Sequence, residues 1–177
     1  YLDIDGVLRP YSKEGDTDYR EHDNLNKDCL KRLDRFLHQN IDVAVCLCST
    51  WRKIPDDMIS LFEQWPNLFS YRLPIGFVTP IFSSIEFEKM SKHIQTELEN
   101  LGIMGMKGKD RGLEIDQHWN SIQNIFPNLK NYLILEDEEC SLFECQHSQN
   151  VRPDMYLGIQ DSDISKLTNL LTKLREN

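Results

Sequence analysis

No run of apolar residues in this chain approaches the length needed to cross a membrane, and no secretory signal is visible within it. The sequence therefore reads as a soluble protein with no membrane contact of its own. It has no internal repeat and no low-complexity tract. It also lacks an excess of positive charge: 20 Lys and Arg against 29 Asp and Glu leave a net charge of -9. Extended binding along a nucleic-acid backbone is disfavoured by that balance, whereas a local basic pocket is not. Nor is there an even set of cysteines. The five present sit mostly in apolar surroundings, with Cys46 and Cys48 alternating with Val45 and Leu47. They read as buried thiols in a reducing compartment, the cytoplasm, rather than as disulfides. Cys140, Cys145 and His147 match no zinc spacing and lack a fourth ligand.

What is present is enough for one domain. At 177 residues, 40% hydrophobic and 28% charged, the chain can bury a real core but is short for two. Residues 1–177 are taken as a single unit. The chain opens inside an apolar strand, so it reads as starting a few residues into the natural protein, and its far end reads as another boundary. The most informative stretch is Asp3-Ile4-Asp5-Gly6-Val7-Leu8. Two acids at i and i+2 leave a strand end on the same side, and Gly6 lets the chain turn beneath them. Asp-Gly is also a common way to close a turn, so the pair alone does not settle the chemistry.

Farther along, residues 9–26 are polar without periodicity and read as a flap loop. Leu30, Leu33, Phe36 and Leu37 mark a helix over Lys27 to Gln39, followed by the unbroken apolar run Val43 to Cys48. Such a run predicts a strand covered on both faces. Pro55 opens a helix carrying Met58, Ile59, Phe62 and Trp65, after which Leu68 to Leu73 and Ile75 to Phe82 look strand-like. Met90, Ile94, Leu98 and Leu101 mark another helix. Asp110 is the expected N-cap of a helix with the stripe Ile115, Trp119, Ile122 and Phe126. Tyr132 to Leu135 is a second apolar strand, and Ile164, Leu167, Leu171 and Leu174 mark the last helix. Strands alternating with helices predict an α/β fold with a mainly parallel sheet, whose ligands bind at the carboxyl ends of the strands.

Three apolar strands end in polar groups: Asp3 and Asp5, then Ser49-Thr50-Trp51-Arg52, then Glu136-Asp137. A basic cluster, Lys107, Lys109 and Arg111, precedes or opens a helix, where positive charge opposes the dipole and calls for an anionic partner. Read singly, Ser49 can be a turn cap, Lys109 a solvated charge, Trp51 a packing residue and Arg52 a surface or phosphate-binding group. In this order the four elements resemble the motifs of the haloacid dehalogenase (HAD) superfamily. A closer resemblance is to the HAD domains of RNA-repair Swiss-army-knife proteins. It rests on Ser49-Thr50-Trp51-Arg52, on Arg111-Gly112-Leu113-Glu114-Ile115 with Trp119, and on Leu157-Gly158-Ile159. Glu136 stands where Asp is usual.

The resemblance implies a Rossmann-like three-layer sandwich with little or no cap, the region 82–109 offering room for a small elaboration. It implies a phosphatase in which Asp3 is the nucleophile and Asp5 the proton carrier. Mg²⁺ would be held by Asp3, the Asp5 carbonyl and Asp137, with Glu136 in reserve. Ser49, with Thr50 and Arg52 as neighbouring substrate-binding candidates, would contact the phosphate, and Lys109 or Arg111 would supply positive charge. An open site implies a macromolecular phosphorylated substrate. Net acidity places a phosphoprotein first, phosphotyrosine included, and a nucleic-acid end or nucleotide second. A catalytically silent HAD fold used for binding is the reading from another class.

Overall fold

The protein is described here by a computed structural model, in which residues 1–11, 24–72, 77–81, 90–97 and 109–176 are placed. Extended segments lie side by side in parallel, with Leu2 at the centre. Leu2 bridges Leu47 on one side and Leu135 on the other, and Leu47 bridges Val78. Beyond Leu135, the strand β1 (Ile134–Leu135) pairs in parallel with β2 (Asn150–Val151). The backbone bonds are regular: Leu2 N donates to Cys46 O at 2.9 Å, Cys48 N to Leu2 O at 3.0 Å, and Asp3 N to Leu135 O at 3.0 Å. The chain moves outward from Leu2 to Leu47 and Val78, then returns to the other side at Leu135. That reversal opens a crevice at the carboxyl end of the central segment, where Asp3 and Glu136 follow directly.

Helix α1 (Lys27–Gln39) forms as its pattern predicts: Asn26 caps it by accepting from the Asp28 and Cys29 amides, and Cys29, Leu33, Phe36 and Leu37 are buried. With Leu61 of α2 (Pro55–Gln64) and Leu167 of the C-terminal helix, these residues cover Leu2, Leu47, Leu135 and Val151. The opposite alternation of the strands, Cys48 and Ile134, packs instead against Ile115 and Leu142. Both sets of side chains are therefore apolar, which is why the strands read as unbroken hydrophobic runs.

Two expected elements differ. Of the stretch expected as a strand from Leu68 to Leu73, Leu73 lies outside the described residues and Leu68–Tyr71 is a one-turn helix, α3. Pro66 starts a turn, and the amides of Leu68, Phe69 and Ser70 each bond three residues back, so Leu68 alone is driven inward while Phe69 stays exposed. Pairing with Val45 begins only at Arg72. Asp110 is not the N-cap of the next helix but its first residue: α4 spans Asp110–Ile125 with Lys109 at the cap and no side-chain cap bond. Asp110 serves that helix through its charge near the positive end of the dipole. The buried surface of α4 is also wider than the predicted stripe. Glu114, Asp116, Gln117 and His118 are all buried beside Ile115: Glu114 pairs with Arg52, Asp116 accepts from the Ser91 amide, and His118 meets the Tyr1 hydroxyl. The chain ends with α5 (Glu144–His147), β2 and α6 (Asp161–Glu176), α6 packing beside α1.

Cys29, Cys46 and Cys48 are buried, whereas Cys140 and Cys145 are exposed, and all five are free thiols. The expectation of buried thiols thus holds for three of them. Among the described residues no helix is long and apolar enough to cross a membrane. Most of the flap (12–23), most of the region 82–109, Lys107 and the helix positions Leu98 and Leu101 lie outside the described residues. Residues 92–97 are helical, and Met90 and Ile94 pack with Leu113 and Phe143.

Candidate active site

The carboxyl ends of three neighbouring segments bring Asp3, Ser49 and Glu136-Asp137 together; Asp3, Glu136 and Asp137 line one cleft of about 280 Å³ with Asp5, Tyr11, Thr50, Lys53, Asp110, Arg111, Glu114, Glu138 and Ser141, whereas Ser49 is fully buried and not on its lining. Gly6 makes the close approach possible. It adopts a φ of +70°, and a Cβ there would fall 2.2 Å from the Asp137 carboxyl carbon. Only glycine allows both the turn and that proximity.

Asp3, Glu136 and Asp137 are buried, and one oxygen of each lies within 4.8 Å of the others. Their environments differ. Asp3 accepts from Arg111 at 3.3 Å. Glu136 accepts from Arg111 Nε at 2.9 Å and from the Glu138 amide at 3.1 Å. Among the described residues neither oxygen of Asp137 has a hydrogen-bond partner. Burial raises the pKa of all three. For Asp3 the Arg111 charge and a Ser49 hydrogen bond work the other way, while for Glu136 and Asp137 the Asp3 charge adds to the burial effect. A clustered set of hard oxygen donors, three carboxylates sharing one Arg111 and one of them unsatisfied among the described residues, fits a divalent cation of the magnesium type. The side chain of Asp5 is not part of this group.

Of the two basic candidates among the described residues, Lys109 and Arg111, Arg111 is the one brought to the cleft. It occupies the second position of α4 and reaches Asp3 and Glu136, with Glu114 3.7 Å from its other terminal nitrogen. Burial opposes its charge, but the Cys48 thiol, Asp3, Glu136 and Glu114 outweigh that and raise its pKa above the ordinary value. Lys109 turns away, donating to the Leu142 carbonyl and lying over the Phe143 ring. Ser49 is fully buried; besides its bond to Asp3, its oxygen accepts from the Trp51 amide at 3.4 Å and caps the 3-10 turn Thr50–Lys53. Thr50 is exposed on the cleft wall.

Arg52 is not brought to the cleft. Its guanidinium donates to the carbonyls of Cys48, Ser49, Thr79 and Pro80 and pairs with Glu114, both side chains being nearly inaccessible at 2% and 3%. It closes the ends of two adjacent strands and ties them to α4. Trp51 is buried, as a packing residue would be, yet its indole N–H donates to both oxygens of Asp5, at 3.1 and 3.2 Å. Arg9 Nε also donates to Asp5, at 2.6 Å. Sequence reasoning gave neither residue this part, and it passed over Glu114 as a partner of Arg52 and Arg111, and Lys53 on the cleft wall. The one signal available was the proximity of each to a motif already singled out.

The family model for a HAD domain in Swiss Army Knife RNA repair proteins matches residues 1–164. No curated protein and no solved structure gives a match.

Proposed function

Because the chain belongs to the HAD domains of Swiss Army Knife RNA repair proteins, we propose that it is a Mg²⁺-dependent phosphomonoester hydrolase acting on a phosphorylated nucleic-acid end. Its architecture is then the three-layer α/β sandwich of that superfamily. The observation that carries the chemistry is the convergence of Asp3, Glu136, Asp137 and Arg111 beside a second acid, Asp5, at the switch point of a parallel sheet.

Asp3 attacks phosphorus and forms an aspartyl-phosphate, while the bond to the ester oxygen breaks and that oxygen takes a proton from Asp5. Water then attacks the phosphoenzyme and gives its proton to Asp5. Inorganic phosphate leaves and both acids return to their starting states. Arg111 and Ser49 face the phosphoryl oxygens and hold the nucleophile. The cation would be held by Asp3, the Asp5 carbonyl and Asp137, with Glu136 beside them; bound there, it neutralises the charge shared by the carboxylates and the phosphate.

Metal binding has a readout independent of turnover. In the free protein the raised carboxylate pKa values mean that the folded state binds more protons than the unfolded one. The contribution of these groups to stability therefore falls as pH rises from the ordinary carboxylate range through their raised values. Mg²⁺ replaces those protons. The expected result is a rise in thermal midpoint on adding Mg²⁺ that is larger at pH 8 than at pH 6 and is lost in Asp137→Asn. An equal rise at both pH values contradicts the assignment of these ligands.

Two points favour a nucleic-acid end over the phosphoprotein that net charge placed first. The family is described from RNA repair proteins, and Lys53, exposed on the cleft wall, has no hydrogen-bond or ion-pair partner among the described residues. A single cation at the mouth suits the phosphodiester next to a terminal phosphate and demands no extended basic surface. Lys53→Ala should raise KM for a phosphorylated oligonucleotide about threefold to tenfold and flatten its salt dependence by about 0.7 in log KM per log salt. KM for para-nitrophenyl phosphate should change far less. Equal changes on both substrates would remove Lys53 from that role. A panel of 3′- and 5′-phosphorylated oligonucleotides, nucleotides and phosphotyrosine and phosphoserine peptides tests the substrate class, and a preference for any peptide overturns it.

A further inference from the structure

The carboxylate of Asp5 is held by two side chains to which the reaction steps above give no part, Trp51 and Arg9. Trp51 Nε1 donates to Oδ1 at 3.1 Å and to Oδ2 at 3.2 Å, and Arg9 Nε donates to Oδ1 at 2.6 Å. The Arg9 guanidinium also lies over the Trp51 ring, 5.0 Å from its centroid. Each holder is itself fixed by backbone. Trp51 is buried on the 3-10 turn that Ser49 caps. Arg9 ends the turn that starts at Asp5, where Gly6 N donates to Arg9 O at 2.9 Å and the Asp5 and Arg9 segments bridge.

A carboxylate on a turn has free rotation about two side-chain torsions, and a proton carrier loses efficiency when its oxygen strays from the atom it serves. Bonds to both oxygens from two directions remove that freedom. An indole is well suited to the task, because its rigid ring packs in the core while its one donor points out of it. Packing of an aromatic ring does not by itself call for an N–H aimed at a carboxylate, although phenylalanine, lacking the five-membered ring, would fill less of the space.

We propose that Trp51 and Arg9 are positioning residues that aim the Asp5 carboxylate at the leaving-group oxygen of the substrate. The inference rests on Asp5 as the proton carrier, and it separates from that reading by the dependence on leaving group. An alkyl ester, such as a nucleoside 3′-phosphate, expels a strongly basic oxygen that must be protonated. The para-nitrophenolate ion leaves with little help.

Trp51→Phe keeps an aromatic ring in the core and removes the donor together with the volume of the five-membered ring, so a thermal melt is read beside the kinetics. Its kcat on the nucleoside 3′-phosphate should fall about tenfold or more, with a much smaller loss on para-nitrophenyl phosphate and KM within about threefold on both. Arg9→Gln, at a partly exposed side chain, should show the same selective loss and carries the test if Trp51→Phe fails to fold. Equal losses on the two substrates, or none on either, overturn the positioning role. Asp5→Asn in parallel keeps the two levels apart. If it hydrolyses the alkyl ester as fast as the unaltered protein, or if the unaltered protein hydrolyses neither substrate, the mechanism itself fails and the positioning role falls with it. If Asp5→Asn is selectively impaired and Trp51→Phe is not, only the positioning role falls.

Discussion

Asp3→Asn should lose at least about 10³-fold in kcat on every phosphomonoester, equivalent to ~4 kcal/mol of transition-state stabilisation, while the protein stays folded. The loss is large because no other group takes over the attack. Glu136 is engaged by Arg111 and the Glu138 amide, Asp5 by Trp51 and Arg9, and Asp137 sits beneath Gly6. Folding should be spared because burial already disfavours the ionised form of Asp3. An amide of the same shape removes that penalty and the repulsion on Glu136 and Asp137, at the cost of one ion-pair contact with Arg111 at 3.3 Å. Steady-state kinetics beside a thermal melt in metal-free buffer check both halves. A variant that retains a tenth of the activity, or one that unfolds, contradicts the assignment.

Arg111→Ala is expected to damage both stability and catalysis. Arg111 reaches Asp3, Glu136 and Glu114 from a largely buried position. Removing it leaves carboxylates facing one another without their shared cation, and breaking a buried pair in this way typically costs about 3–5 kcal/mol. Catalysis should fall by about 10²- to 10³-fold, the usual consequence of deleting one charge-stabilising donor. Arg111→Lys should recover part of the stability but little of the activity, since an ammonium cannot span Asp3 and Glu136 with separate nitrogens. Lys109→Ala should leave the site intact, because that side chain serves the Leu142 carbonyl and the Phe143 ring. If the Lys109 variant proves the more damaging in kcat, the basic role has been given to the wrong residue.

The parts of this site that were readable from sequence are those set by strand ends. Asp3, Ser49 and Glu136-Asp137 each follow an apolar run, and parallel pairing of Leu2 with Leu47 and Leu135 brings them together without further specification. The basic residue was not readable to the same degree. Successive positions on a helix differ by about 100° in direction, so the choice among Lys107, Lys109 and Arg111 turns on where the helix begins. It begins at Asp110, one residue earlier than an Asp110 N-cap implies, and that start sets the direction of Arg111.

The parts played by Arg52 and by the indole N–H of the buried Trp51 were not readable for another reason. Their distant partners are the carbonyls of Thr79 and Pro80, on the neighbouring segment, and a carboxylate 46 positions away, and no local pattern encodes such contacts. The strand expected at Leu68 fails because a short apolar segment does not declare its period. Pro66 and the turn after it decide the outcome.

The central claim is that Asp3 carries the phosphoryl group covalently between two half-reactions. Rapid acid quenching during turnover, followed by proteolysis and mass spectrometry, reads that step directly. The account predicts one added phosphoryl group on the peptide containing Asp3, absent in Asp3→Asn and accumulating if water attack is slowed in Asp5→Asn. Turnover by the unaltered protein with no phosphorylated peptide, or with the group on a residue other than Asp3, would contradict it.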